Sequence, residues 1–191
     1  RGAERGARQE CSGEAAAEWH DTKDGLFEWK GDTSSDEICA HFYAVALFLE
    51  LAAQGDEIQQ AKSFLSRVAG HLMDHGWQLI DVDGKPTRWG RWSPEYFNAA
   101  GEGNAARGLN ALEILSFIKT AEVLTGEPKF AQGYQELVKL GYPEYTLRQK
   151  CTFPPGDVLQ FLEHLAFLCY PNLLKYETDP RLRSIYRRSL D

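Results

Sequence analysis

Apolar positions recur along most of the chain with the 3.6-residue period of amphipathic helices. A Ser34-x-x-Glu37 capping box opens the first such stretch, where Ile38, Phe42, Val45, Leu49 and Ala52 form one stripe. Gly55 ends it, and Ile58, Ala61, Leu65, Val68 and Leu72 form a second stripe closed by Gly76. Between residues 109 and 124 apolar side chains occupy most of the circumference, which predicts a helix buried on more than one side. Thr125-Gly126-Glu127-Pro128 is a turn with Pro placed for a first helical turn, leading to the amphipathic set Phe130, Tyr134, Leu137 and Val138. A broadly apolar stretch over residues 158–170 follows, and Asp179-Pro180 then opens a last helix carrying Leu182, Ile185, Tyr186 and Leu190. Short connections make each pair an antiparallel helical hairpin, three in all. Pro128, Phe130, Tyr134 and Val138 correspond to Pro180, Leu182, Tyr186 and Leu190 at a constant offset, so the hairpins are a weak internal repeat whose units must stack to bury their faces.

Two segments break the helical period. Residues 77–92 contain Asp83-Gly84, a two-residue turn signal, between runs with strand character, and they predict a small β-hairpin. Residues 93–108, with Pro94, Gly101, Gly103 and Gly108, read as a long loop. Residues 1–25 have little periodicity and read as an irregular arm, leaving residues 26–191 as one helical domain. The fold class expected is all-α: stacked antiparallel helical hairpins with a small β-hairpin insertion near residues 77–92.

Composition agrees with a globular domain: of 191 residues, 43% are apolar and 26% charged. A formal charge of −7 provides no counterion-release drive toward phosphate backbones, so nucleic acid is not an expected partner. No apolar run reaches the ~20 residues of a membrane span, so no membrane insertion is expected. The sequence opens on Arg1 without an apolar signal core, as after removal of a leader or in a piece of a longer chain, and a secreted or periplasmic setting is the expectation. Cys11, Cys39, Cys151 and Cys169 lack metal-type spacing, and Cys39 and Cys169 lie in apolar helical patterns expected of buried free thiols. His71 and His75 are one helical turn apart with Asp74 between them but have no third ligand in reach of the pattern, so no metal is expected. A Gly-rich phosphate loop, a nucleophile elbow and an H-E-x-x-H signature are all absent, and no cofactor is expected.

If the buried helices lie inside the stack, their starts share one rim. That rim collects Asp32, Thr33, Asp36, Glu37 and His41, then Arg107, Asn110 and Glu113, then Asp157, Glu163 and His164, with Arg88, Trp89 and Trp92 contributed by the β-hairpin. Flat rings that stack on pyranose faces, beside paired acids for protonation and water activation, are the chemistry of a sugar site. Each member also has a structural role open to it. Glu37 is the N3 member of a capping box, and Asp36 favours the helix dipole. Trp89 and Trp92, three apart in a strand, face opposite ways, so one of them belongs to the core.

The segments Trp29-Lys-Gly-Asp-Thr-Ser-Ser-Asp-Glu-Ile with His41, Asp81-Val-Asp-Gly-Lys-Pro-Thr-Arg-Trp-Gly-Arg-Trp-Ser-Pro and Arg107-Gly-Leu-Asn-Ala-Leu-Glu-Ile-Leu-Ser-Phe resemble a group of uncharacterised, mostly bacterial proteins related to the six-hairpin (α/α) toroid glycosidases. The resemblance implies a partial (α/α) toroid and action on carbohydrate. By it, Asp32, Asp36, Glu37, His41, Arg88, Trp89, Asn110 and Glu113 are funnel positions. In a glycoside hydrolase or lyase, Asp36 or Glu37 would be the general acid and Glu113 the base or nucleophile. Asp32, His41, Arg88, Trp89, Trp92 and Asn110 would bind substrate. Other readings of the same rim are a non-catalytic module binding glycan or protein, and a half-toroid subunit. Three hairpins make half of such a ring, whose open edge would meet a partner chain or a second copy.

Overall fold

The computed structural model describes residues 19–99, 101–149 and 160–191. Strands β1 (Trp19–Asp21) and β2 (Glu28–Lys30) precede a first helical hairpin, α1 (Ser35–Leu51) and α2 (Asp56–Asp74). Strands β3 (Gln78–Ile80) and β4 (Pro86–Arg91) and the short helix α3 (Pro94–Asn98) come next. The second hairpin is α4 (Glu102–Thr125) with α5 (Pro128–Lys139), and the short helix α6 (Tyr142–Thr146) separates it from the third, α7 (Gln160–Tyr176) with α8 (Pro180–Leu190). The chain is thus mostly helical, with three helical hairpins and two small antiparallel β-hairpins.

The predicted helix starts form by the predicted chemistry. At α1 the Glu37 carboxylate accepts the Ser34 amide at 2.9 Å and completes the capping box. At α8 the Asp179 carboxylate accepts the amides of Arg181 and Leu182 at 2.7 and 3.2 Å. The first helices of the three hairpins run in the same direction. Phe42 stacks on Phe117, Ser116 Oγ donates to the Cys169 carbonyl, and Asn172 Nδ2 donates to the Phe42 carbonyl. Further along, Lys175 pairs with Glu50. Helix α7 therefore touches both α4 and α1, and the three inner helices pack as a triangle about one core. Between α1 and α7 the described residues leave no open edge of the kind a half-ring would have.

Helix α4 is the hub, in contact with six of the other helices. That accounts for its apolar circumference, because every residue from 108 to 121 is buried. Helices α5 and α8 bury one face each, and their repeat offset has a physical counterpart. The Tyr134 and Tyr186 hydroxyls, 52 residues apart, share a hydrogen bond of 2.7 Å. Tyr134 also donates to Glu177, while Lys119 lies 3.9 Å over its ring and pairs with Glu122 and Glu177 at 2.8 and 3.8 Å. This buried network joins the second and third hairpins.

Three sequence expectations change, and one helix is added. Residues 19–25 belong to the fold, because β1 pairs with β2 in the register His20↔Trp29; the strands are too short and too polar to announce themselves. The β3–β4 loop is longer than a two-residue turn, since the Asp81 amide bonds the Lys85 carbonyl and Gly84 follows a turn in left-handed conformation. Helix α6 carries no periodic signal of its own. The segment 93–108 is no loop: it holds α3 and the first turns of α4. Gly101 does precede a helix, at φ +101°, but Gly103 and Gly108 are packing residues rather than breakers. A Cβ at Gly103 would stand 2.0 Å from the Tyr96 carbonyl oxygen, and one at Gly108 would stand 2.7 Å from the Gln149 amide nitrogen. Arg1, Cys11, Cys151 and Asp157 lie outside the described residues. Among the described residues no helix is long and apolar enough to cross a membrane.

Gly108→Ala is expected to lower stability by about 1–3 kcal/mol, since neither backbone can yield as a side chain would. Chemical denaturation of the two proteins measures this, and equal midpoints would show that α4 and the residues after α6 do not meet so closely.

Candidate functional site

The first two motifs are clasped together by a single residue. Asp32, in the left-handed region at φ +50°, turns the chain between β2 and α1. Its amide donates to Asp81 Oδ2 at 2.6 Å, and its Oδ1 accepts the Arg88 amide at 2.8 Å. The Arg88 guanidinium approaches Asp32 Oδ2 at 3.5 Å. The other Asp81 oxygen accepts the Val82 amide at 2.7 Å. Both carboxylates therefore hold the β3–β4 hairpin against the start of α1.

The remaining rim candidates divide by exposure. Glu37 is engaged by Ser34 and by Lys30 at 3.8 Å; burial works to raise its carboxyl, but the Ser34 bonds and the neighbouring cation hold it below its ordinary value. Asp36 and His41 are exposed on α1, the imidazole lying edge-on to Phe64 with ring centres 5.5 Å apart. Trp89 is 43% exposed, with the Arg88 guanidinium 5.9 Å from its ring centre.

Below the clasp lies a buried set. Trp92 is the core member of the tryptophan pair: wholly inaccessible, edge-on to Phe117, with its carbonyl held by the Tyr142 hydroxyl at 2.6 Å. It offers no face to a ligand and leaves the substrate-binding set. Asn110 is also buried and donates to the Arg91 carbonyl at 3.0 Å, a structural bond that ties α4 to the end of β4. Glu113 is fully buried, and its Oε2 accepts the Trp92 indole N–H at 2.9 Å. Its Oε1 has no well-formed hydrogen bond among the described residues. Burial pushes this carboxyl up to about 7, and the charge of Asp36 adds to the effect; the Trp92 N–H, Cys39 and Ser35 pull it down. The Cys39 and Cys169 thiols are buried and free, their sulfurs 3.7 Å apart.

A well-formed hollow stands beside the clasp rather than on the expected rim. It is a cleft of about 420 Å³ between Trp29 and Thr33 on one side and Phe64, Arg67 and His71 of α2 on the other, with Asp81 at the hairpin end. Of the rim residues chosen from the sequence, Thr33 alone lines it. Asp32 lines a smaller adjoining hollow of about 170 Å³ with Asp81, Asp83 and Thr87. Phe64, Arg67 and His71 were legible as one face of α2, at spacings of three and four, but that face flanks the apolar stripe and carries no motif. The two histidines serve the fold. His71 Nε2 accepts the Ile80 amide at 3.0 Å, and His75 Nδ1 bonds the His71 carbonyl at 2.7 Å. Burial and the nearby His75 lower the His71 pKa, with Asp74 opposing. Among the described residues no group of three or more metal-ligating side chains is assembled.

Comparison with protein-family models, with curated proteins and with solved structures gives no match to this chain.

The buried Glu113 carboxyl makes stability depend on pH. With a folded value near 7 and an ordinary value of 4.5 in the unfolded chain, the native state holds the proton more tightly, so stability is full below about pH 4.5 and falls until about pH 7. The loss amounts to about 3 kcal/mol. Glu113→Gln, which keeps an acceptor for Trp92, is expected to flatten this part of the profile in denaturation measured from pH 4.5 to 8. An unchanged slope would show that Glu113 is not the group responsible.

Proposed function

We propose that this chain is a carbohydrate-binding helical-hairpin module of the (α/α) toroid type, holding a sugar ring in the cleft on Trp29. The observation that carries the reading is the division of labour between acids and cleft. Asp32 and Asp81 clasp two loops, Glu37 caps a helix and Glu113 is sealed in the core. The open cleft beside them has an aromatic wall, 37% exposed at Trp29, with polar groups at its edges. Its size falls in the range of small-molecule sites, and an exposed indole face is suited to the apolar face of a pyranose. Parallel inner helices, each returning through an outer one, are the building unit of the toroid that the motifs resemble. A glycan is the partner this reading assigns.

One observation favours a second reading, a glycoside hydrolase or lyase. The Glu113 carboxyl, raised to about 7 in part by Asp36, has the proton affinity of a general acid at neutral pH. That reading requires Glu113 to be uncovered during turnover.

Glycan binding by the full chain, followed by calorimetry, tests both. The module reading expects Trp29→Ala to weaken binding on the order of tenfold, while Asp36→Asn and Glu37→Gln retain it and no oligosaccharide is cleaved. Cleavage that disappears in Asp36→Asn would establish the hydrolase or lyase instead. Failure to bind any glycan would overturn the carbohydrate reading itself.

A further inference from the structure

Resting on that reading, the cleft also carries information about the kind of sugar. Three of the side chains lining it, Asp81, His71 and Thr87, already accept hydrogen bonds from the protein. Both Asp81 oxygens accept backbone amides, His71 Nε2 accepts the Ile80 amide, and Thr87 Oγ1 accepts the Gly90 amide at 3.1 Å. Its cation is not engaged. Arg67 is exposed on α2, one turn before His71, and makes no ion pair or hydrogen bond among the described residues. Asp56 shares an adjoining groove with Arg67 without pairing to it. Arg88, by contrast, is held at Asp32, and Arg183 is bonded to the Leu174 and Glu177 carbonyls. The cleft therefore presents an aromatic face, an apolar wall at Ile38 and Phe64, and a guanidinium unpaired within the protein whose donors are open to the acceptors of a ligand.

We propose that the cleft selects a sugar bearing an oxyanion, a carboxylate or a sulfate, with the ring on Trp29 and the anionic group on Arg67. A guanidinium is the side chain best matched to such a group, because its forked donors can meet two oxygens at once. The negative carboxylate of Asp81 belongs to the hairpin end of the cleft and Arg67 to the α2 wall, so the ligand's charge lies toward α2. The overall charge of −7 does not oppose this at physiological salt, where charges beyond about 8 Å are screened.

Calorimetric titration of the full chain with three trisaccharides tests the proposal: galacturonate as the free acid, its fully methyl-esterified form, and a sulfated galactose. At least one anionic probe is expected to bind about tenfold or more tighter than the methyl ester. Arg67→Ala should abolish that preference while leaving methyl-ester binding intact, and Arg67→Lys should restore part of it. The tighter of the two anionic probes identifies the oxyanion. Equal affinity for the free acid, the ester and the sulfated sugar would overturn the proposal while leaving carbohydrate binding standing, as would an anion preference that survives Arg67→Ala. No binding by any of the three would overturn the proposal, and the carbohydrate reading with it if no other glycan binds either.

Discussion

A helix buried on every side must find partners within the protein for most of its polar side chains, and α4 imposes that condition on the rest of the fold. Hydrophobic burial holds α4 at the centre but has no direction; the polar side chains along its buried length supply one. Asn110 reaches the carbonyl that ends β4, Glu113 takes the Trp92 indole, Ser116 reaches a carbonyl of α7, and Lys119 meets Glu177 just beyond α7. The first two bonds address the end of β4 and the last two address α7 and its C-terminal end, at successive heights along α4. Together they define how the β-hairpin and the third helical hairpin sit on the hub. Leaving one partner unmet in such surroundings costs about 1–3 kcal/mol, so these contacts discriminate between packings that apolar burial alone would treat alike.

The cleft follows from the same arrangement. With β4 docked on α4 through Asn110 and Trp92, its hairpin stands over the start of α1, where Asp32 closes the gap by bonding Asp81 and Arg88. The pairing of His20 with Trp29 in the β1–β2 hairpin brings the indole to the same place, stacked on the imidazole at 4.4 Å. Helix α2 provides the opposite wall. The cleft is thus bounded by three separate pieces of chain held in place by the clasp; Asp32 helps to build it without lining it, and Asp81 does both.

Much of the scaffold was readable from residue order. The Ser34-x-x-Glu37 box, the Asp179-Pro180 start, the apolar circumference of α4 and the matched Tyr134 and Tyr186 are local or periodic signals, and each has its expected counterpart in the structure. The errors share one cause. Gly103 and Gly108 read as breakers because glycine is poor in helices, yet they lie in α4, where neighbouring backbone comes too close for a Cβ. The short strands β1 and β2 are stabilised by their pairing and have no hydrophobic alternation to betray them.

For the candidate site, sequence alone determined which residue types gather at the start of the inner helices, since capping and helical period are set by neighbours within a few positions. Only the tertiary structure decided what those residues do. Burial turned Trp92, Asn110 and Glu113 inward, and cross-chain hydrogen bonds drew Asp32 and Asp81 into the clasp. The cleft was left to Trp29 and to a face of α2 that no motif marks, because exposure and partner choice depend on residues distant in sequence that periodicity cannot pair.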